Sequence, residues 1–201
     1  GLSMIESNSG RIRNYTFNNN LIRSICEDSE GNIWFGSFRN GLYRLDVDSE
    51  RFTHYPYSAT NKTGIGAANI KDIFCDAHGI IWFATWGGGL QRYDKEKDCF
   101  ITYTISSTPE SNQINSIMVD AKNNFWAGTD IGLYLFCPNT GTFMPVYTAP
   151  ASVQYKSGYV INDILADNAN GIWVASRDGL VYFNLSGNHF FQYGVEDFWP
   201  D

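Results

Sequence analysis

The chain is predicted to be an all-β propeller segment built of four-stranded antiparallel blades, four of them complete and one half present. Three observations predict this. A tryptophan recurs at Trp34, Trp82, Trp126 and Trp173, with spacings of 48, 44 and 47 residues, inside the range of propeller blades and of long helical repeats. Other positions keep phase with it: an isoleucine twelve before (Ile22, Ile70, Ile114, Ile161), an aspartate six before (Asp28, Asp76, Asp120, Asp167) and a Gly-Leu pair after it (Gly41-Leu42, Gly89-Leu90, Gly132-Leu133, Gly179-Leu180). Each copy holds four short runs of Ile, Val, Phe, Tyr and Trp, punctuated by Gly, Asn, Asp and Ser, and no run keeps helical spacing long enough for a paired-helix repeat. Four strands per repeat is one propeller blade.

Residues 1–16 open in mid-repeat. Gly1-Leu2 aligns with Gly41-Leu42, Ile12 falls in the slot of Phe52 and Tyr15 in that of Tyr55. They are expected to form the last two strands of a blade, followed by blades at 21–55, 69–103, 113–146 and 160–193, all within one segment, 1–201. A repeat cut in this way reads as an excised piece of a longer protein.

The first strand of each blade carries an Ile-x-x-Ile pair and ends at the phased aspartate, as in Ile22, Ile25 and Asp28. That aspartate then builds the hairpin, because its carboxylate reaches backbone two residues on while Gly or Asn takes the left-handed position. This reading is preferred to a catalytic or calcium role. The second strand, such as Ile33-Trp34-Phe35-Gly36, is apolar without alternation, as expected of a strand buried on both faces. The phased tryptophans are therefore core. The small residue at Gly36, Ala84, Gly128 and Ala175 is expected to admit a neighbouring backbone or ring. The third strand starts at Gly-Leu, and the fourth, with Phe52 and Tyr55 in the first copy, lies outermost. Between them Asp46, Asp48 and Glu50 look like part of a calcium loop but lack the glycine and the distant glutamate such a loop needs.

Residues that break phase point to function. The turns between second and third strands share a face with the inter-blade connections, and on that face fall Phe38, Arg39, Trp86, Asp130, Arg177, Asp178 and Tyr155. Trp86 stands four past Trp82, in the slot that Phe38 holds in the first copy and Asp130 and Arg177 in the third and fourth. Aromatic planes beside charged and amide groups suit a neutral polyhydroxylated ligand such as a sugar, stacking on its CH faces and bonding its hydroxyls. Sealing the central channel or a neighbouring domain fits Trp86 equally, and fits Phe38 better.

Composition narrows the partners. Fourteen Lys and Arg stand against 21 Asp and Glu, a formal net charge of −7, which argues against nucleic acid. No apolar run approaches the roughly 20 residues that cross a bilayer, so this chain holds no membrane segment. Cys26, Cys75, Cys99 and Cys137 sit at four repeat phases with no metal-ligand spacing, and read as buried thiols. His54, His78 and His189 have no phased nucleophile or carboxylate. No catalytic residue, metal or cofactor is expected.

The string Ile-x-x-Ile-x-x-Asp-x-x-Gly-x-Ile-Trp-Phe-Gly-x-x-x-x-Gly-Leu, carried by 22–42 and, with small departures, by 70–90, 114–133 and 161–180, resembles the two-component regulator propeller repeat. The resemblance implies the periplasmic sensor region of a bacterial hybrid two-component system, often in Bacteroides-like gut organisms sensing oligosaccharides. It also implies an Ig-like domain, a membrane helix and a histidine kinase elsewhere. No ligand residues carry over, because the shared motif is scaffold.

The family normally has many more repeats. Four and a half copies predict a cramped small ring or an open arc, which would bury its ends by pairing with a second copy about a two-fold axis. Three functions follow: an oligosaccharide-sensing module, a protein-interaction or dimerisation scaffold, and a propeller lyase. The last would need His and Glu converging at the channel mouth.

Overall fold

In the computed structural model, residues 1–15, 21–148, 159–167, 171–186 and 189–193 are described. A hairpin of β1 (Leu2–Ile5) and β2 (Ile12–Tyr15) is followed by four antiparallel sheets, each of four strands in chain order. The first is β3 (Leu21–Glu27), β4 (Ile33–Phe38), β5 (Leu42–Asp46) and β6 (Arg51–Tyr55). The second is β7 (Ile70–Cys75), β8 (Ile81–Thr85), β9 (Gly89–Asp94) and β10 (Cys99–Tyr103). A short 3-10 turn, Pro109–Asn112, leads to β11 (Ile114–Val119), β12 (Phe125–Thr129), β13 (Gly132–Cys137) and β14 (Thr142–Thr148). The last sheet is β15 (Ile161–Ala166), β16 (Gly171–Ser176), β17 (Gly179–Asn184) and β18 (His189–Tyr193). The first strands β3, β7, β11 and β15 pack side by side, so they form the hub and the fourth strands the rim. This is a propeller of four full blades and a half blade.

Trp34, Trp82 and Trp126 each fill the gap between their own sheet and the next, whereas the half-buried Trp173 of the last sheet packs on Tyr182 and Tyr193 of that sheet. Trp34 packs with Ile70, Ile73, Ile81 and Phe83, Trp82 with Ile114, Ile117 and Phe125, and Trp126 with Ile161, Ile164 and Ile172. Burying one such ring removes about 200 Å² from water, worth at most about 5 kcal/mol at roughly 25 cal/mol/Å². The small residue after Trp-x has a definite neighbour in the first and third sheets. A Cβ on Gly36 would lie 2.5 Å from Cγ2 of Ile70, and one on Gly128 would lie 2.6 Å from Cγ2 of Ile161. The approaching group is thus the next blade's first isoleucine, where backbone or a ring was expected.

The phased aspartates close their hairpins as expected and do more. Asp28 Oδ1 accepts the amides of Glu30 and Asn32, both at 2.9 Å, and Oδ2 accepts the Trp34 indole N–H at 2.8 Å. Asp76 and Asp120 repeat this with Trp82 and Trp126 at 2.9 and 3.0 Å. In the fourth copy Asp167 accepts from the Tyr182 hydroxyl at 2.8 Å.

The first sheet differs at its outer side. Leu2 and Tyr15 of the β1–β2 hairpin pack on Phe35, Tyr43 and Leu45, and Arg13 pairs with Glu50. That hairpin lies over the outer strands, so Ile25 on β3 is 56% exposed, whereas Ile73, Ile117 and Ile164 at the same phase are 6%, 4% and 6% exposed.

Candidate functional site

One irregularity recurs in all four hub strands. The pairing register of each first strand slips between Ile22 and Ser24, Ile70 and Asp72, Ile114 and Ser116, and Ile161 and Asp163. The extra residue of each bulge is Arg23, Lys71, Asn115 or Asn162. A bulge re-aims a side chain, and here it aims all four at one place. A solvent-open cavity of about 540 Å³ is lined by these four residues with Leu21 and Ile22. Only the hub touches all four sheets, so the cavity sits there.

One residue further along, a polar belt joins the hub strands. The Ser24 hydroxyl donates to Asp72 Oδ1 (3.2 Å), and the Ile117 amide donates to Asp72 Oδ2 (3.0 Å). The Ser116 hydroxyl donates to Asp163 Oδ1 (2.8 Å), which also accepts the Ile164 amide (2.9 Å). Burial raises the Asp72 pKa, against the pull of the Ile117 and Ile73 amides and Ser24. The belt ties consecutive blades together beneath the cavity.

The aromatic residues on this face stand beside the bulge cations. The guanidinium carbons of Arg23 and Arg39 lie 4.9 and 4.8 Å from the Phe38 ring centre, within cation–π range. Lys71 Nζ lies 5.6 Å from the centre of Trp86. Burial lowers the Lys71 pKa and Arg23 lowers it further, while Asp130 acts the other way. Trp86 itself is 43% exposed. Its backbone bridges to Gln113, and its indole N–H donates to the Gln113 side-chain oxygen at 3.2 Å when the Gln113 nitrogen faces Asp130. Asp130 Oδ1 accepts from Asn115 Nδ2 at 2.7 Å, and that nitrogen also reaches the Ile161 carbonyl at 2.8 Å. A chain of side chains from two blades therefore fixes the Trp86 ring.

The structure thus brings Trp86, Asp130, Phe38 and Arg39 to one face around the cavity. Arg177 and Asp178 lie exposed in the β16–β17 turn, with the Arg177 amide donating to Val160 (3.0 Å) and Asp178 near Tyr147. Tyr155 lies outside the described residues. Arg23, Lys71, Asn115 and Asn162 were missed in the sequence, although a signal existed: the residue after the first Ile of Ile-x-x-Ile is Arg, Lys, Asn and Asn in turn. Among the described residues no group of three or more His, Cys, Asp or Glu is placed to hold a metal. His54 stacks on Tyr43 at 4.2 Å and meets the Asn40 carbonyl, and neither it nor His78 lines the cavity.

Four-stranded antiparallel sheets ranged about a hub define the class, a β-propeller segment. Residues 16–39 and 64–87 match the family described as "Two component regulator propeller", so the chain carries repeats of that type. It is similar to the extracellular domain of BT4673 from B. thetaiotaomicron, a proposed one component or hybrid two component system, at 26% identity and a TM-score of 0.74, covering 92% of this chain and 26% of that one. The extracellular domain of the proposed hybrid two component system BT3049 from the same organism matches at 21% identity and a TM-score of 0.73, covering 89% and 25%. A virginiamycin B lyase from Staphylococcus aureus, at 14% identity and a TM-score of 0.67 over 96% of this chain and 59% of that one, shares the fold. The chain spans about a quarter of the length of the two extracellular domains. No curated protein matches it. Among the described residues no helix is long and apolar enough to cross a membrane.

Proposed function

We propose that this propeller segment is part of the periplasmic sensory region of a bacterial two-component receptor, and that its hub face binds an oligosaccharide without turning it over. Trp86 carries the reading: an aromatic ring in the turn after the second strand, left 43% exposed yet fixed through Gln113, Asp130 and Asn115. A ring ordered before the ligand arrives stacks at little entropic cost. Amide and cationic groups around the cavity offer donors to hydroxyls. The likeness to extracellular domains of signalling systems supports the placement. Titration of tryptophan fluorescence with a panel of plant and host oligosaccharides tests it. A saturable change that Trp86→Ala weakens at least about tenfold, or 1.4 kcal/mol, is expected. Saturable binding that is indifferent to Trp86 would move the site elsewhere.

A second reading has its own observation. Ile25 on the first sheet and Leu165 on the last are 56% and 67% exposed, so the end blades offer apolar surface to another domain or a second copy. Light scattering over a tenfold dilution distinguishes the two: a concentration-dependent dimer supports the interface, and a monomer throughout removes the second copy.

A further inference from the structure

We propose that Arg23 and Lys71 form an anion subsite at the hub, which takes a carboxylate or sulfate-ester group of the ligand. The two cations come from adjacent blades at the same bulge position and line the same cavity. In a chain of net charge −7, two neighbouring cations are costly unless something anionic joins them.

The nearby carboxylates are committed elsewhere. Asp130 is held by Asn115 and Gln113. Asp72 and Asp163, each one residue past its bulge, accept from Ser24, Ser116 and the amides of Ile73, Ile117 and Ile164. Among the described residues the ion pairs are Arg13 with Glu6 and Glu50, Lys95 with Glu30, and Lys97 with Asp94. Neither Arg23 nor Lys71 is among them.

The packing leaves both heads usable. Phe38 supports the Arg23 guanidinium from its face, which keeps the planar fork free to bind an oxyanion with two parallel bonds. Lys71 beside Trp86 adds a point charge next to the surface on which a sugar ring would stack. Asn162, in the same cavity, adds amide donors. A neutral ligand would leave the two charges with only the partial offset that Asp130 gives Lys71, so the subsite selects for acidic members of a saccharide series. That last step rests on the proposed sugar site; the anion subsite stands apart from it.

The test is an amide NMR titration of the whole chain with sodium sulfate at constant ionic strength, chloride being the counter-titrant. Saturable shifts at residues 22–24 and 70–72, weakened at least tenfold in Arg23→Gln/Lys71→Gln, are expected. Shifts that do not saturate, or that persist in the double variant, overturn the subsite. Arg23 is exposed and Lys71 half-buried, and an unchanged spectrum elsewhere shows that the variant folds. Trigalacturonate and a monosulfated chondroitin disaccharide, set against neutral galactotriose, then identify the source of the anion. Trp86→Ala reports on the sugar surface separately. If it abolishes galactotriose binding while the double variant leaves every ligand unaffected, the subsite fails and the sugar site stands. If sulfate binds through Arg23 and Lys71 but no saccharide responds to Trp86, the subsite stands and the sugar reading falls.

Discussion

Asp120 accepts a hydrogen bond from the buried indole of Trp126 at 3.0 Å while its other oxygen takes the amides of Lys122 and Asn124, both at 2.9 Å. One carboxylate thus shapes the hairpin and satisfies the polar atom of the ring that fills the inter-blade gap. Asp120→Ala orphans the indole donor and opens the turn, and should cost about 3 kcal/mol, since a buried unsatisfied donor costs about 1–3 kcal/mol. Burial pushes the Asp120 pKa up, but the bonds from Asn124, Trp126 and Lys122 outweigh it and the net shift is downward. The stabilisation is therefore present above the ordinary value of 3.8 and disappears as pH falls through the lower folded value. Urea unfolding of wild type and variant should show a gap at pH 7 that narrows below pH 3.8.

Gly128→Ala places a methyl 2.6 Å from Cγ2 and 3.2 Å from Cβ of Ile161. The overpacked interface should lose about 1–3 kcal/mol. Ala84→Gly, at the same phase in the second blade, should lose about 1 kcal/mol through backbone freedom and a lost methyl. Pairing Gly128→Ala with Ile161→Ala removes the nearest atom, so the double variant should lose less than the sum of the two single changes in thermal unfolding.

Periodicity made the fold legible: tryptophan phase, strand punctuation and the double-sided burial of second strands depend on residues near in sequence. The hub was not legible in the same way. A bulge is a property of the pairing between β3 and β4 or β7 and β8, and Arg23 or Lys71 within Ile-x-x-Ile gives no sign that the ladder slips there. The Asp–Trp bond was hidden for another reason, since each partner already had a sufficient role, one as turn-builder and one as core. Trp86 was found because its slot varies between copies, holding Phe38, Trp86, Asp130 and Arg177, whereas Asn115 and Asn162, alike in their two copies, were passed over.

Ile25 and Ile117 occupy one repeat phase but are 56% and 4% exposed. Phase alone assigns them equal weight; the neighbouring blade decides otherwise. Ile117→Ala should cost about 2–5 kcal/mol, as buried truncations do, and Ile25→Ala less than about 1 kcal/mol. Chemical denaturation of the two variants reads the difference. Equal losses would mean that Ile25 is covered in solution, which is the signature of a partner on that end blade.

Tyr55 sits between Trp34 and Tyr93, stacked on the first at 5.7 Å, with its hydroxyl 3.0 Å from Asp98. Burial raises its pKa well above the ordinary 10, and Tyr93 and Asp98 add to this. Burial likewise raises Tyr93, Tyr134 and Tyr147. A phenol whose folded pKa exceeds its unfolded one contributes stability that is intact below pH 10 and is lost as pH rises beyond it. Absorbance titration near 295 nm should therefore show only part of the 12 tyrosines ionising reversibly, the rest appearing in one cooperative step when the blades unfold. Tyr55→Phe keeps the ring stack and removes one phenol from that step. If all 12 ionise in a single smooth curve centred near the ordinary 10, the packing between the first and second blades is looser than described.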